Sequence, residues 1–441
     1  MTQSMHRARA HFRQPSAAAP VSMAGAEVQE RRLANGLRVL IAERKGAPAV
    51  ASLLFYRVGA RNETEREAGV SHFLEHMMFK GSKNYGKGEV DRLTTQLGGQ
   101  NNAFTGYDHT AYWFQFAPDR WLQALDLERD RIAHLAIDPA EFASERAVVL
   151  EELAMGVDDP WRALSYRVEE ALVPRHPYGR PIIGYPDTLL AMSPEDMRAY
   201  YDRFYHVSNA TLVVAGDVRP ATVMREVKAR FGDLAAGPDF AAVDPPRAPL
   251  SAPSGPLRLE MPWDDAGKRL VMAWQTAPVA TDADYALDLV QTAMTSGRNA
   301  RLVRKLVLDD GLATTISMHN DTRVEGGFFW IFAECAQGVE PDVLERAIDA
   351  ELETLATKPL SAAELKRAKA MIASSEAYEA ETVTDLAESL GEWAVDDDWR
   401  RAFDGGARHA RVTAKEVRDV VRRYLAPERR ALGWCLPGDR S

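Results

Sequence analysis

The apolar and polar residues follow strand-like patterns in some segments and helix-like patterns in others. These patterns predict strands and helices in both halves of the chain. Some apolar runs alternate with polar residues and others are continuous, which is typical of one-sided sheets covered by helices. Hairpin-like turns occur together with long amphipathic segments, so the pattern favours an α+β fold. The predicted strands are GLRVLIAER, AVASLLFYRVG, AYWFQFA and NATLVVAGD in the first half, and GPLRLEMPW, KRLVMAWQ, GGFFWIFAEC and ALGWCLP in the second.

A weak internal repeat relates the two halves. The segment MSPEDMRAYYDRFY at 192–205 resembles VTAKEVRDVVRRYL at 412–425, and each precedes a strand-like run that ends in Gly-Asp. Both segments predict a capped amphipathic helix that leads into a strand and then a turn. Helix, strand and Gly-Asp can follow one another by chance. Because the coincidence closes each half in the same order, duplication is the favoured interpretation.

A stretch rich in Pro, Ala and Ser separates the halves. GPDFAAVDPPRAPLSAPSGP, at 237–256, has little hydrophobic periodicity, which is typical of a linker. We therefore expect a flexible tail over 1–27, an α+β domain over 28–237, a linker over 238–256 and a second α+β domain over 257–441. Residues 1–26 contain several arginines and no acidic residue, which would also suit a transit peptide, but their apolar run is too weak for a secretory signal.

Composition excludes several classes of protein. The 441 residues are 46% hydrophobic and 27% charged, with a net charge of -10, so nothing indicates binding to nucleic acid. No apolar run approaches the ~20 residues that span a bilayer. The two cysteines, Cys335 and Cys435, form neither a disulfide framework nor a CxxC motif. A cytoplasmic location is the favoured prediction, with the periplasm or an organellar matrix as alternatives.

Candidate chemistry lies in the segment HFLEH. The surrounding residues predict a helix from about Gly69 to Phe79, closed by Gly81. His72 and His76 are four residues apart, so they project from one face and can bind one Zn²⁺. Glu75 can flank that metal without binding it, as in an HxxEH motif. The alternative is an apolar core helix, but three ionisable groups on one face would be costly to bury unpaired.

A third ligand is expected from a downstream acidic helix at 139–156. Its Glu145 and Glu152 are seven residues apart and share one face, but they are about 10 Å apart along the axis. Both cannot easily bind one ion. One of them should complete the metal site and the other should orient a histidine, and the spacing does not decide which.

Taken in order, the motifs resemble the inverzincin zinc peptidases, the family of pitrilysin, insulin-degrading enzyme and the mitochondrial processing peptidase. The resemblance covers almost all of the first half and is looser in the second. It implies two similar α+β domains, each an antiparallel sheet covered by helices, that together form half of a clamshell. The matching segments are HFLEHMMFKGS, LGGQNNAFTGYDHTAYWF, SERAVVLEEL, HPYGRPIIG and FYHVSNATLVVAGD.

The resemblance also implies a role for each candidate residue. His72, His76 and Glu152 would bind one Zn²⁺ per chain, and Glu145 would be the acid outside the ligand set. Such an ion lowers the pKa of bound water and polarises the scissile carbonyl. Glu75 would be the general base that accepts the proton and later donates it to the leaving amine.

Substrate binding is implied for a different segment. Asn102 and Ala103 lie in the stretch that leads to the family's edge strand, which pairs with substrate through main-chain hydrogen bonds. The chain would thus be a zinc-dependent endopeptidase subunit that hydrolyses peptides or unfolded polypeptides.

One departure from the family pattern concerns an arginine and a tyrosine seven residues apart, which hold the substrate and the developing oxyanion. The matching positions here are Val307 and Thr314, and neither Arg301 nor Arg304 has the right spacing. We therefore expect a heterodimer in which a homologous subunit supplies the pair. The alternatives are a self-sufficient homodimer and a non-catalytic relative that binds peptides or acts as a scaffold.

Overall fold

The computed structural model describes residues 21–23, 25–244, 246–247, 249–250, 253–378 and 380–438. Residues 1–20 and 24 of the predicted tail, and 245, 248, 251 and 252 of the predicted linker, lie outside the described residues. The strands are β1 (Val21–Met23), β2 (Ala26–Arg32), β3 (Arg38–Glu43), β4 (Val50–Tyr56), β5 (Gln100–Thr105), β6 (Thr110–Phe116), β7 (Ala210–Gly216), β8 (Leu257–Trp263), β9 (Arg269–Thr276), β10 (Ala313–Asp321), β11 (Gly327–Cys335) and β12 (Arg430–Pro437).

Helices cover both sheets. They are α1 (Val70–Met77), α2 (Glu89–Gln96), α3 (Leu122–His134), α4 (Pro139–Val157), α5 (Pro160–Leu172), α6 (Pro186–Ala191), α7 (Pro194–Phe204), α8 (Pro220–Phe231), α9 (Phe240–Val243), α10 (Asp282–Thr295), α11 (Pro341–Thr357), α12 (Ala362–Tyr378), α13 (Val383–Asp396), α14 (Arg401–Arg411) and α15 (Ala414–Tyr424). None of these described helices is long and apolar enough to cross a membrane.

The two sheets repeat one topology. The first has the order β1-β2-β3-β7-β4-β6-β5, and the second, taken from β8, has the order β8-β12-β9-β11-β10. In the first sheet β7 lies between β3 and β4, and in the second β12 lies between β8 and β9; each is parallel to the earlier of its two neighbours and antiparallel to the later. Apart from that parallel pair the described strands run antiparallel. The expected α+β class with two similar domains is therefore confirmed, and the β1–β2 hairpin is an addition to the first domain.

The segments of the internal repeat occupy equivalent places. Helix α7 begins after Ser193, whose hydroxyl accepts the Asp196 N–H, and α15 begins after Thr413, which caps Glu416 in the same way. Each helix leads through a short 3₁₀ turn into the strand that closes its sheet, β7 or β12. Reciprocal capping of this kind satisfies backbone donors that would otherwise lack partners at a helix start.

Each sheet is completed by a helix from the other half of the sequence. Helix α13 packs on β4 and β7 of the first sheet, while α5 packs on β9 and β12 of the second. Glycines allow the close approach, because a Cβ at Gly391 of α13 would lie 2.0 Å from the Phe55 ring and one at Gly433 of β12 would lie 2.8 Å from Leu164. The two domains therefore bury part of each other's apolar surface.

Several strands are not among those predicted from apolar runs. Strand β2 carries the sequence AEVQERR and β10 carries ATTISMHND, and both alternate between buried and exposed positions. Their exposed positions are mostly polar, so the apolar signal is weak. Strand β1 and the start of β2 fall within 1–27, so the first sheet takes in residues from the stretch that we predict as tail. The division into domains stays a prediction.

Candidate metal centre

Helix α1, which carries His72 and His76, is anchored at its first turn. Gly69 precedes the helix with φ at 94°, a left-handed conformation that glycine adopts without strain. The buried carboxylate of Glu63 accepts the N–H groups of Gly69 and Ser71 at 2.9 and 2.8 Å, at the positive end of the helix. Burial nevertheless raises the pKa of Glu63 to about 8.

The apolar face of α1 fixes the direction of its polar face. Val70, Phe73, Leu74 and Met77 are buried in the core of the first domain. A Cβ at Gly69 would lie 2.5 Å from the carbonyl oxygen of Ile183, so the helix start packs directly against the HPYGRPIIG segment. Core packing on one side therefore turns the histidines toward α4 on the other.

His72, His76 and Glu152 come together, with candidate ligand atoms all within 4.8 Å of one another. The Nε2 atoms of His72 and His76 lie 3.8 and 3.6 Å from the two carboxylate oxygens of Glu152. These distances are too long for hydrogen bonds. Two ligands at about 2.0–2.1 Å from one Zn²⁺ can be up to about 4.2 Å apart, so the separations fit an ion held between them.

Glu145 lies behind His76 rather than beside Glu152. The Nδ1 atom of His76 donates to Glu145 at 2.9 Å, and the Lys80 ammonium contacts the other carboxylate oxygen at 2.5 Å. Burial alone would raise the pKa of Glu145, but the hydrogen bonds from Lys80 and His76 outweigh it and lower that pKa. A charged Glu145 keeps the Nδ1 proton on His76 and leaves Nε2 free to bind a metal.

His72 is more enclosed than its partner. Its Nδ1 atom is buried and has no hydrogen-bond partner among the described residues. Burial, together with the neighbouring His76, lowers the pKa of His72 to about 4. The imidazole is therefore neutral at ordinary pH, which is the form that binds metal ions.

Glu75 is not one of the three candidate ligands, but it lies within electrostatic reach of His76 and Glu152. Its carboxylate accepts a hydrogen bond of 2.5 Å from the hydroxyl of Thr105, the last residue of β5. Burial raises the pKa of Glu75, although Thr105 and His76 oppose the increase. A carboxylate with a raised pKa is better suited to exchange protons near neutral pH.

Asn102 and Ala103 lie on β5, the edge strand of the first sheet. They face Trp113 and Tyr112 across the β5–β6 ladder, and in the described sheet no strand pairs with the other side of β5. The Asn102 side chain, which is exposed, accepts the Ala103 N–H at 2.9 Å. The edge beside Glu75 thus offers main-chain groups to an extended peptide.

The positions where the family has its arginine and tyrosine hold no equivalent groups. Val307 packs against the core of the second domain, and the exposed Thr314 lies on β10, where its hydroxyl is 3.4 Å from Glu334. Arg301 is paired with Glu364 at 2.9 Å, and Arg304 lies 3.5 Å from Asp309 at the surface. The two arginines are therefore engaged with local carboxylates.

Glu63, Lys80 and Thr105 support the site but were not predicted from the sequence. Lys80 follows His76 by four residues, so helical periodicity could have suggested that the two share a neighbour. Glu63 and Thr105 gave no such signal, because their contacts depend on the loop before α1 and on the pairing of β5.

Comparison with known proteins agrees with the fold and shows the family. Residues 38–185 match the model of insulinase, peptidase family M16, and residues 191–372 match that of the peptidase M16 inactive domain. An uncharacterized zinc protease of Mycobacterium leprae is 30% identical over 341 residues, which cover 76% of this chain and 75% of that protein. The zinc protease PqqE of Helicobacter pylori is 28% identical over 396 residues, 89% of each chain. The chain belongs to peptidase family M16, which confirms the resemblance seen in the motifs.

Solved structures show the same architecture. A protease from Helicobacter pylori has a TM-score of 0.88 and 25% identity, and the match covers 93% of this chain and all of that one. A peptidase M16 inactive domain from Pseudomonas fluorescens has a TM-score of 0.85 at 17% identity, over 94% and 98% of the two chains. This second likeness concerns the fold alone.

Proposed function

We propose that this chain is the zinc-bearing subunit of an endopeptidase that hydrolyses peptides or unfolded polypeptides. The observation that carries the proposal is the grouping of His72, His76 and Glu152 around a space that fits Zn²⁺, with Glu75 next to it and beside an open strand edge. Relatives that are named zinc proteases support the same activity.

Each residue contributes a distinct action to the reaction. His72, His76 and Glu152 hold the ion, and a bound Zn²⁺ would supply Lewis acidity toward water and the scissile carbonyl. Glu75 takes a proton from the attacking water and delivers it to the leaving amine. Glu145 keeps His76 in the tautomer that binds metal through Nε2.

The peptide binds as an additional strand on β5. Main-chain groups near Asn102 and Ala103 pair with it, and Thr105 at the end of the same strand contacts Glu75. Main-chain pairing tolerates many side chains, so the bound segment must be extended but need not have one sequence. Folded proteins would be poor substrates for this reason.

A second, homologous subunit completes the active site in our proposal. Val307 offers no donor, and the short side chain of Thr314 cannot replace a phenol that reaches across a chamber. Loss of a donor to the oxyanion typically costs about 10²–10³ in rate. We therefore propose that this chain forms half of a clamshell with a partner that supplies the arginine and tyrosine.

Metal analysis combined with peptide cleavage tests the proposal. We expect wild-type chain with its co-purified partner to cleave an unstructured peptide, and Glu75→Gln to retain zinc while cleavage falls by about 10²–10⁴. Glu151→Gln, at an exposed site on α4, is the matched control and should behave as wild type. Zinc-independent cleavage, or full activity of Glu75→Gln, would contradict the peptidase mechanism. Full activity of the isolated chain would contradict the requirement for a partner subunit and leave the peptidase mechanism standing.

A further inference from the structure

A direct contact links the edge strand β5 to Glu75. The hydroxyl of Thr105 donates a hydrogen bond of 2.5 Å to Oε2 of the Glu75 carboxylate. Within the described part of the chain, no second donor forms a hydrogen bond with that carboxylate. The hydroxyl therefore engages one oxygen of Glu75 and leaves the other, Oε1, able to accept a proton from water.

The alternation of β5 explains why Thr105 reaches Glu75. Successive side chains of a strand point to opposite faces of the sheet. Phe104 packs in the apolar cluster that contains α13, whereas Ala103 packs against the core that contains α1. Thr105 shares the face of Ala103, and β5 contacts α1 directly. The strand thus presents a hydroxyl to the helix that carries the candidate metal ligands.

The end of β5 is held in place on both sides. Thr105 is paired with Thr110 of β6, and the following Gly106 donates its N–H to the His109 carbonyl at 2.8 Å. The Gly106 carbonyl accepts the N–H of Ala60, in the turn ahead of α1, at 3.1 Å. A β-branched side chain such as threonine also has restricted rotation about χ1. The hydroxyl is therefore fixed relative to α1 by the fold itself.

We propose that Thr105 is a positioning residue, which holds the Glu75 carboxylate toward a peptide paired on β5. The proposal rests on the proposed peptidase function and adds a residue to its mechanism. One strand then carries both the substrate and the donor that fixes the base, so a peptide in register with β5 meets Glu75 in a set position. Such placement matters because a displacement of about 1 Å can reduce a rate about 10²-fold.

Removal of the hydroxyl tests the proposal. Thr105→Val keeps the shape of the side chain but cannot donate to Glu75. With the co-purified partner and an unstructured peptide, kcat should fall about 10- to 100-fold because the base is no longer held. KM and the zinc content should stay as in wild type. Thr105→Ser retains the hydroxyl and should restore most of the lost rate.

Thr110→Val is the matched control on the neighbouring strand. Thr110 lies directly opposite Thr105, but its hydroxyl donates to the Val58 carbonyl at 2.9 Å. Its loss removes a buried hydrogen bond, so denaturant unfolding should show lower stability while kcat stays near that of wild type.

Four kinetic results would overturn the proposal. They are a wild-type kcat in Thr105→Val, an equal fall of kcat in Thr110→Val, a Thr105→Ser chain as slow as Thr105→Val, and a raised KM with unchanged kcat in Thr105→Val. The last of these would assign Thr105 to peptide binding instead.

A double variant shows whether Thr105 acts through Glu75. In Glu75→Gln the base is already lost, so the addition of Thr105→Val should reduce the residual rate little further. Losses that multiply would mean that Thr105 acts by another route, and they would overturn the proposal.

The wild-type chain separates this proposal from the proposed function. Absence of zinc-dependent cleavage by wild type with its partner would refute the peptidase itself. Zinc-dependent cleavage that is undiminished in Thr105→Val would refute the role of Thr105 and leave the peptidase standing.

Discussion

His76 is held from both sides by carboxylates that do different things. Glu145 accepts its Nδ1 proton in a short, mostly buried contact, whereas Glu152 faces its Nε2 atom across a gap that suits an ion. Lys80 balances the charge of Glu145. Glu152 thus completes the candidate ligand set, whereas Glu145 orients the imidazole of His76.

Replacing Glu145 tests its orienting role. In Glu145→Gln the charged acceptor of the His76 proton is lost, so the affinity for Zn²⁺ should fall about 10- to 100-fold without being abolished. Competition with a chelator of known affinity measures the change. Unaltered zinc affinity would show that Glu145 does not orient the ligand.

At this scale the sequence predicted most of the candidate site. The spacing of His72 and His76 requires only a regular helix, so it could be interpreted without tertiary structure. Glu145 and Glu152 share one helix face, so periodicity does not distinguish their roles. Their roles differ because of the point at which α1 crosses α4, and the sequence pattern does not specify that point. The contact between Glu75 and Thr105 likewise depends on the packing of β5 against α1.

Among the elements, α1 is positioned by its first turn as much as by its apolar face. Gly69 combines a left-handed backbone with a close approach to Ile183, while Gly88, which begins α2 in the same conformation, has open space around it. A substitution at Gly88 would therefore introduce backbone strain alone, whereas one at Gly69 would introduce backbone strain and a steric clash.

Alanine at these two positions should give different losses of stability. Gly88→Ala should lower the free energy of unfolding by about 1 kcal/mol, through backbone strain alone. Gly69→Ala adds a clash 2.5 Å from a carbonyl oxygen and should cost roughly 2–5 kcal/mol, with weaker zinc binding because α1 shifts. Denaturant unfolding measures both. Equal losses would show that the approach to Ile183 does not matter.

Three helices of the second domain meet at His409. This residue of α14 contacts Asp288 of α10 at 2.9 Å and Glu376 of α12 at 3.0 Å, with Asp284 and Arg408 nearby. Burial would lower the pKa of His409, but the two carboxylates outweigh it and raise that pKa to about 9. The imidazolium thus links the three helices at neutral pH.

This cluster predicts a dependence of stability on pH. Since the pKa of His409 is higher in the folded chain than the ~6.5 of an unfolded chain, its contribution is complete below ~6.5 and is lost as pH rises through about 9. The contribution is on the order of 3 kcal/mol. The difference in unfolding free energy between wild type and His409→Gln should shrink from pH ~6 to pH ~10. A constant difference would contradict the assignment.

Strongly apolar strands were predictable, and half-exposed ones were not. Strands β4 and β7 are buried along their whole length, and each appears as an apolar run interrupted by a single hydroxyl residue, Ser52 or Thr211. Strand β10 is an edge strand whose exposed positions hold threonine and other polar residues, so its strand character comes from pairing with β11.

In the whole molecule, the exchange of α5 and α13 makes each domain depend on the other. An ion cluster adds to this link, since Glu325 of the second domain contacts Arg61 at 2.6 Å, His176 at 2.9 Å and Arg247 at 3.0 Å. Burial would raise the pKa of Glu325, but these partners outweigh it and lower the value to about 2. The apolar runs gave no indication of the exchange, because a buried helix face does not specify which sheet it covers.

Calorimetry tests this mutual dependence. We expect one unfolding transition for both domains. Leu390→Ala in α13 leaves a cavity against the first sheet and should lower the free energy of that single transition by about 2–5 kcal/mol. A matched truncation in α5, Val168→Ala, should lower the same transition. Two separate transitions, each affected by one substitution only, would contradict the account.

The zinc content of the purified chain tests the central claim most directly. Wild type and Glu151→Gln, dialysed against zinc-free buffer, should each retain one zinc ion per chain, since the proposed site has three protein ligands. Glu152→Gln loses the anionic ligand shared by both histidines and should retain little zinc under the same conditions. A wild-type chain without zinc, or a Glu152→Gln chain that keeps its full zinc content, would show that His72, His76 and Glu152 do not form the metal site.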